Sequence, residues 1–309
     1  MNQSKIAKTD NFKSGFVSIV GRPNVGKSTL VNAIIGKRVA IVSKHSGTTQ
    51  RNVKGIYNSK GSQIVFIDTP GFARPRKTLG VRLNDSVHEG ISDSDIVIFC
   101  TPADEKIGPG DKKIIDSFLD KNSRKKIACI TKADKISKDA LINKIVEVDS
   151  LNVFDEIVPV TAKGNPDVKE SQENQNLNEL LDLITSALPN GPKYYDSTDY
   201  STEDELTFAS ELIRQEVLQG LQDELMHSVA VLVDDDIVKA NEMRATIFVE
   251  RDSQKGIVIG KKGANLGNIR RRSLRALKKE FENVESLNLK VKVAKNWQKD
   301  TKMLERFSI

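Results

Sequence analysis

Short apolar runs alternate with longer stretches of helical periodicity over the first 188 positions. Runs at Phe16–Val20, Val53–Tyr57, Gln63–Ile67, Asp95–Cys100, Lys126–Thr131 and Glu156–Val160 predict buried strands. Apolar residues at helical spacing follow the first run (Leu30, Ala33, Ile34) and fill the stretches around 80–91, 110–120, 138–151 and 177–188. Strands that alternate with helices in this way predict an α/β fold, a mainly parallel sheet covered by helices on both faces. The pattern then changes. Residues 189–202 (PNGPKYYDSTDYST) carry turn chemistry and no period, and predict a linker.

Beyond the linker, Leu206, Ala209, Ile213, Val217, Leu221 and Leu225 predict a helix. Ser228–Val233 and Met243–Glu250 predict two strands around the acidic turn Asp234-Asp235-Asp236. A short apolar segment, Gly256 to Ile259, leads into Gly260-Lys261-Lys262-Gly263 and a basic helix through Phe281. Leu287, Leu289, Val291 and Val293 alternate with polar residues as in a half-buried strand. The order helix, strand, strand, short helix, glycine loop, helix, strand predicts a smaller α+β domain. The chain therefore divides into a polar tail (1–14), a first domain (15–188), the linker (189–202), a second domain (203–297) and a tail (298–309). Residues 164–176 (GNPDVKESQENQN) predict a surface insertion before the last helix of the first domain.

Composition narrows the setting. At 309 residues, with 38% hydrophobic and 29% charged positions, the chain has the balance of a soluble protein of two domains. Two cysteines, Cys100 and Cys129, lie in apolar runs and predict reduced core residues of a cytosolic protein. The first fourteen residues lack the apolar core of a secretory signal, and no apolar run is long enough to span a bilayer. The three histidines are scattered without metal-ligand spacing. A net charge of +6 points to an anionic partner. Its distribution says more: from Arg251 to Lys279 there are ten Lys/Arg and one acid, Asp252. An ordinary solvated helix mixes signs. A face of one sign, with Arg270, Arg271, Arg272 and Arg275, is the footprint of a phosphate backbone.

The densest chemistry stands at Gly21-Arg22-Pro23-Asn24-Val25-Gly26-Lys27-Ser28-Thr29, between the first strand and its helix. It fits G-x-x-x-x-G-K-[ST]. Gly21 and Gly26 let the backbone turn its N–H groups onto one anion, Lys27 adds positive charge, and Ser28 offers a hydroxyl to Mg²⁺. The helix N-terminus completes the cradle. Three downstream patches supply the rest of a nucleotide site. Asp68, opening Asp68-Thr69-Pro70-Gly71, can hold Mg²⁺ through water while the Gly71 N–H approaches the terminal phosphate. In Thr131-Lys132-Ala133-Asp134 the carboxylate can accept from N1–H and N2–H₂ of guanine, a donor pair that adenine lacks. Thr161-Ala162-Lys163 can bring a backbone N–H to the base oxygen. Singly, each patch reads equally as a turn or strand exit; their order after the phosphate loop, all at strand carboxyl ends, carries the signal.

These boxes, with the pair Thr48-Thr49, resemble those of translation-factor-class GTPases, and the wording GRPNVGKS resembles the branch containing Era. The second domain is similar to a type II KH domain, with Ile259-Gly260-Lys261-Lys262-Gly263 as its signature loop. A P-loop GTPase domain followed by one KH domain resembles the Era family over nearly the whole chain. The resemblance implies a GTPase that binds GTP and GDP with Mg²⁺, the metal held by Ser28, Thr49 and Asp68, with Lys27, Thr49 and Asn24 serving catalysis. It implies activation by K⁺ near Asn24. The usual fourth box begins with Asn, and here it begins with Thr131. Phe72 stands where many GTPases carry a water-orienting Gln, so slow intrinsic turnover is expected. The family also implies binding to the 3′ end of small-subunit (16S) rRNA, a role in 30S subunit assembly, and peripheral association with the inner face of the membrane. Neither DNA binding nor oligomerisation is expected. Two other readings stay open: an RNA-binding protein whose nucleotide site is only structural, and a membrane-associated signalling GTPase regulating growth, its basic domain meeting anionic lipid.

Overall fold

The computed structural model describes residues 11–42, 48–72, 78–119, 124–162, 176–220, 228–234 and 241–309. Packing divides the chain into two compact units, one of residues 1–40, 52–73 and 84–202, the other of 41–51, 74–83 and 203–309. The insertion at 164–176 lies, but for Asn176, outside the described residues.

The first unit is built on six strands: β1 (Lys13–Gly21), β2 (Val53–Asn58), β3 (Ser62–Asp68), β4 (Ile96–Pro102), β5 (Lys125–Thr131) and β6 (Glu156–Pro159). They lie in the order β2-β3-β1-β4-β5-β6, parallel throughout except for β2, which pairs antiparallel with β3. Every residue of β3 and β4 is buried, as expected for strands covered on both faces. One face carries a core of Val17, Ile19, Leu30, Ile64, Ile98 and Ile184, the other Val20, Val87, Val97 and Phe99. The covering helices are α1 (Lys27–Ile35), α2 (Thr78–Ser92), α3 (Pro109–Ile114), α4 (Lys138–Asp149) and α5 (Leu177–Ala187). α2 crosses the division: it counts with the first unit from Asn84 onward. A single π-turn, Ile115–Leu119, continues α3. Cys100 and Cys129 stand opposite one another on β4 and β5, free and fully buried.

Residues 189–202 are bound along the sheet rather than strung free. Ser14 N–H donates to Pro189 O (3.2 Å) and Gly191 N–H to Phe12 O (3.0 Å). The buried Gln63 accepts from the N–H groups of Tyr194 (2.7 Å) and Tyr195 (2.9 Å). Farther on, Ile56 N–H donates to Tyr200 O (2.9 Å) and Thr202 N–H to Lys54 O (3.3 Å). β2 is an edge strand, and this strap satisfies backbone groups that would otherwise stand open.

The second unit carries α6 (Glu205–Gln219), β7 (Ala230–Val233), β8 (Glu242–Val249), α7 (Asp252–Ile259), α8 (Ala264–Glu280), β9 (Ser286–Val293) and α9 (Thr301–Arg306). Its sheet runs β7-β8-β9, antiparallel and then parallel. One face packs on α6 and α8 through Ile213, Val217, Ile247, Ile269, Leu277 and Val291. The other is covered by Trp297 and the C-terminal tail: Trp297, Leu304 and Phe307 close over Ala230 and Phe248. Trp297 is fully buried and donates through Nε1 to Ser228 O (3.3 Å).

Candidate functional site

The residues of the phosphate loop meet at the carboxyl end of β1. A Cβ on Gly21 would come within 2.6 Å of the Cys100 carbonyl oxygen, so the strand can leave the sheet there only as glycine. Asn24 (φ 63°) and Gly26 (φ 103°) take left-handed conformations that turn the chain into α1. α1 then opens without a capping side chain and without an acid in its first turn. The N–H groups of its first turn and the helix dipole suit an anion.

Lys27 is 6% exposed, and its Nζ donates to Gly21 O (3.2 Å) and Arg22 O (3.0 Å). Burial lowers its pKa, and the charge of Asp68 partly offsets that. Ser28 Oγ donates to Asp68 Oδ2 (2.5 Å), while Asp68 Oδ1 is buried without a hydrogen-bond partner. Burial pushes the Asp68 carboxyl up to about 6 against the opposing effects of Lys27 and Ser28. A hydroxyl beside a carboxylate with an orphaned, desolvated oxygen is a donor set that fits Mg²⁺. Among the described residues no three His, Cys, Asp or Glu cluster for metal binding.

The loop after β3 closes on the phosphate loop. Thr69 Oγ1 donates to Ile19 O (2.7 Å), and a Cβ on Gly71 would sit 2.8 Å from backbone atoms of Pro23. Pro70 is buried. Phe72 packs half-buried against the cluster of Val20, Val87 and Phe99, with Lys113 Nζ 5.1 Å from its ring centre. It has no group with which to orient a water.

Thr131 bears on the departure noted in the fourth box. Its Oγ1 donates to Val25 O (2.5 Å), so the hydroxyl ties the end of β5 to the phosphate loop. Lys132 then turns left-handed (φ 56°), and Asp134 stands exposed at the loop tip. Ala133 N–H donates to Val160 O (3.3 Å), which sets this loop beside Thr161 and Ala162. Thr161 is buried and Ala162 half-buried; Lys163 lies outside the described residues. Thr29 is half-buried in the first turn of α1, and Val25 is buried beneath the loop. Thr49 belongs to the other compact unit.

Sequence reasoning missed the seat of Arg22. Its Nε lies 2.8 Å from Oδ2 of the fully buried Asp111, and its Nη2 lies 2.9 Å from Glu105 Oε2. The segment Gly108-Pro109-Gly110-Asp111 is legible as a helix start, with Asp111 accepting from Gly108 N–H (2.9 Å), but nothing local announces that the same carboxylate holds Arg22.

The second site is the glycine loop between α7 and α8. A Cβ on Gly260 (φ 72°) would lie 2.7 Å from Asn265 Cβ, and Gly263 is left-handed (φ 78°). Lys261 and Lys262 are both exposed, Lys262 itself left-handed (φ 51°). Arg270, Arg271 and Arg275 are exposed on α8, Arg271 donating to Asn268. Arg272 differs: it turns onto α6, with Nε 3.2 Å from Glu216 Oε2 and Nη2 donating to Glu216 O (2.9 Å). It braces two helices instead of joining the exposed face. Ile259 is half-buried against the core, whereas Ile257 is 51% exposed beside the loop, an apolar surface that the sequence reading did not single out.

The comparisons agree with this geometry. The family described as 50S ribosome-binding GTPase matches residues 16–132, and the KH domain family matches 216–298. The chain is 42% identical to GTPase Era of Mycolicibacterium paratuberculosis over 306 residues, covering 96% of this chain and 98% of that protein. It is 43% identical to GTPase Era of Mycobacterium tuberculosis over 310 residues, with the same two coverages of 96% and 98%. Among solved structures it resembles Era in complex with MgGDPNP and nucleotides 1506–1542 of 16S ribosomal RNA, at TM-score 0.88 and 31% identity over 96% of this chain and 98% of that one. A variant of Aquifex aeolicus Era bound to GDP and AlF₄⁻ matches with the same score of 0.88 and 31% identity, covering 96% and 99%.

Proposed function

The chain belongs to the Era family of GTPases, and on that premise we propose that it couples GTP hydrolysis around Lys27 to a grip on single-stranded ribosomal RNA by its KH domain. As a member of this family it is a GTPase that uses GTP and GDP with Mg²⁺. The observation that carries the reading is the buried Asp68, its one oxygen bonded to Ser28 and its other orphaned beside Lys27.

In this reading Gly21 to Thr29 wrap the phosphates with backbone N–H groups, and Lys27 exchanges its bonds to Gly21 O and Arg22 O for phosphate oxygens. Mg²⁺, when bound, neutralises charge on the outer phosphates, and Ser28, Thr49 and Asp68 would hold it. The tight seat of Gly71 on Pro23 supports its N–H as the reporter of the terminal phosphate. Asp134 selects guanine by accepting from N1–H and the 2-amino group, and Ala162 and Lys163 border the base oxygen. Thr131 acts as a strut. Phosphoryl transfer is mostly positioning and charge neutralisation, and with Phe72 in place of a water-orienting group intrinsic turnover is slow. A K⁺ ion beside Asn24 would supply the further positive charge.

For RNA, the exposed Lys261, Lys262, Arg270, Arg271 and Arg275 support contact with a phosphate backbone, and the two glycines let the chain approach closely. The RNA by family is the 3′ end of 16S rRNA, the process is 30S subunit assembly, and work in the cytoplasm fits both. No helix among the described residues is long and apolar enough to cross a membrane. Attachment to a membrane would therefore be peripheral.

Crosslinking to total cellular RNA, with and without a non-hydrolysable GTP analogue, tests the reading. Enrichment of the 16S 3′ end that changes with the analogue is expected. Recovery of anionic liposomes in place of RNA would support the signalling alternative.

A further inference from the structure

Thr49 stands in a segment that the second unit holds firmly. Residues 41–42 and 48–51 count with that unit, and their anchors come from α6 and its approach. Val42 N–H donates to Gln215 Oε1 (3.2 Å). Arg214, 1% exposed, donates from Nη2 to the carbonyl oxygen of Thr48. The guanidinium is itself fixed by a fork on Glu211, Nε to Oε1 at 2.8 Å and Nη2 to Oε2 at 2.7 Å. Two residues past Thr49, Arg51 Nη2 meets Glu203 Oε2 at 2.5 Å, both side chains largely buried. Gln50, between them, is 4% exposed.

Thr49 is therefore bracketed: its preceding carbonyl is tied to α6 through Arg214, and the side chain two positions on is tied through Glu203 to the turn just before that helix. We infer that Arg214 is a positioning residue for Thr49, so that α6 fixes the peptide that presents the switch threonine. The inference rests on the proposed role of Thr49. Arg214 does this with one planar group, which a lysine could not copy, because the fork to Glu211 and the bond to Thr48 need donors in fixed directions. A plain buried ion pair with Glu211 would not need the bond to a loop carbonyl. That bond converts a movement of α6 into a movement of the peptide next to Thr49.

The test uses the full chain and removes the link without stranding a charge: Glu211→Met with Arg214→Met, an apolar exchange of similar volume. Calorimetry measures affinity for Mg-bound GDPNP and for GDP, which does not engage Thr49. Thr49→Ala should collapse the ratio of the two affinities. The double Met variant should lower that ratio on the order of tenfold and leave GDP binding in place. Combined with Thr49→Ala it should add nothing. Hydrogen exchange at 48–51, without nucleotide, should rise in the double variant. If that variant does not fold, Arg214→Lys, which keeps the charge facing Glu211, is expected to give a smaller loss of the same ratio. An unchanged ratio, equal loss for both nucleotides, or full additivity with Thr49→Ala overturns the role of Arg214. An unchanged ratio in Thr49→Ala alone would instead refute the role proposed for Thr49.

Discussion

The two glycine loops of this protein share a backbone and differ in what they do with their lysines. Each opens a helix, each has a left-handed glycine at the helix start (Gly26 φ 103°, Gly263 φ 78°), and each carries a left-handed polar residue within the loop (Asn24 φ 63°, Lys262 φ 51°). Yet Lys27 is 6% exposed and bonded to loop carbonyls, whereas Lys261 and Lys262 stand in solvent. A buried cation interacts strongly with one desolvated anion, which suits a small phosphate ligand held at a fixed point. Solvated cations interact weakly one by one, are screened by salt, and gain from number, which suits a long polyanion. The same backbone device thus serves two classes of ligand, and side-chain burial makes the choice.

This contrast can be broken experimentally. The largest effects belong to the buried loop and its base partner. Lys27→Ala should weaken GTP binding on the order of a hundredfold or more in calorimetry, since it strips a desolvated phosphate of its partner. RNA affinity in the absence of nucleotide should stay unchanged. Asp134→Asn should weaken GTP binding to a similar degree, on the order of a hundredfold, and improve binding of xanthosine triphosphate, whose ring carries an oxygen where guanine has its 2-amino group.

Effects at the open loop should be smaller and should depend on salt. Lys261→Asp with Lys262→Asp should weaken RNA binding about tenfold to a hundredfold and flatten the salt dependence by roughly two phosphate contacts, with GTP affinity untouched. Arg270→Ala and Arg272→Ala sharpen the comparison between neighbours. The first should reduce the salt slope by about one contact, and the second, losing Glu216, should lower Tm with little change in slope.

The smallest effect is at the start of α6, where Asp204 accepts from Thr207 N–H (2.8 Å). Burial would raise its carboxyl, but the bonds to Thr207 and the charge of Arg51 outweigh that and hold it below the usual value. A lowered native pKa means stability present above the unfolded value and lost as pH falls through the native one. Asp204→Ala should therefore cost about 1 kcal/mol in urea unfolding at pH 7 and less in acid.

Much of the molecule was legible from sequence because its signals are local. The phosphate loop is a run of consecutive residues whose glycines meet backbone demands within a few positions, and the strand and helix periods report burial directly. Boundaries moved by up to three residues, as when β1 began at Lys13 and β4 ran on through Pro102, and α3 gave way to a π-turn. Thr131 shows a subtler case. Its departure from the usual Asn looked like a question about the base, and the structure makes its hydroxyl a strut to Val25 instead.

By itself the sequence determined the class of each domain, the two loops and their order, since these depend on composition, period and neighbouring residues. Only the tertiary structure decided the partners: Arg22 with Asp111, Arg272 with Glu216, the strap at 189–202 on β2 and β3, the tail around Trp297 on the back of the second sheet, and Arg214 with Thr48. The reason is physical. A buried charge or an open sheet edge must be satisfied by something, but which group satisfies it depends on which distant segments the core brings within reach.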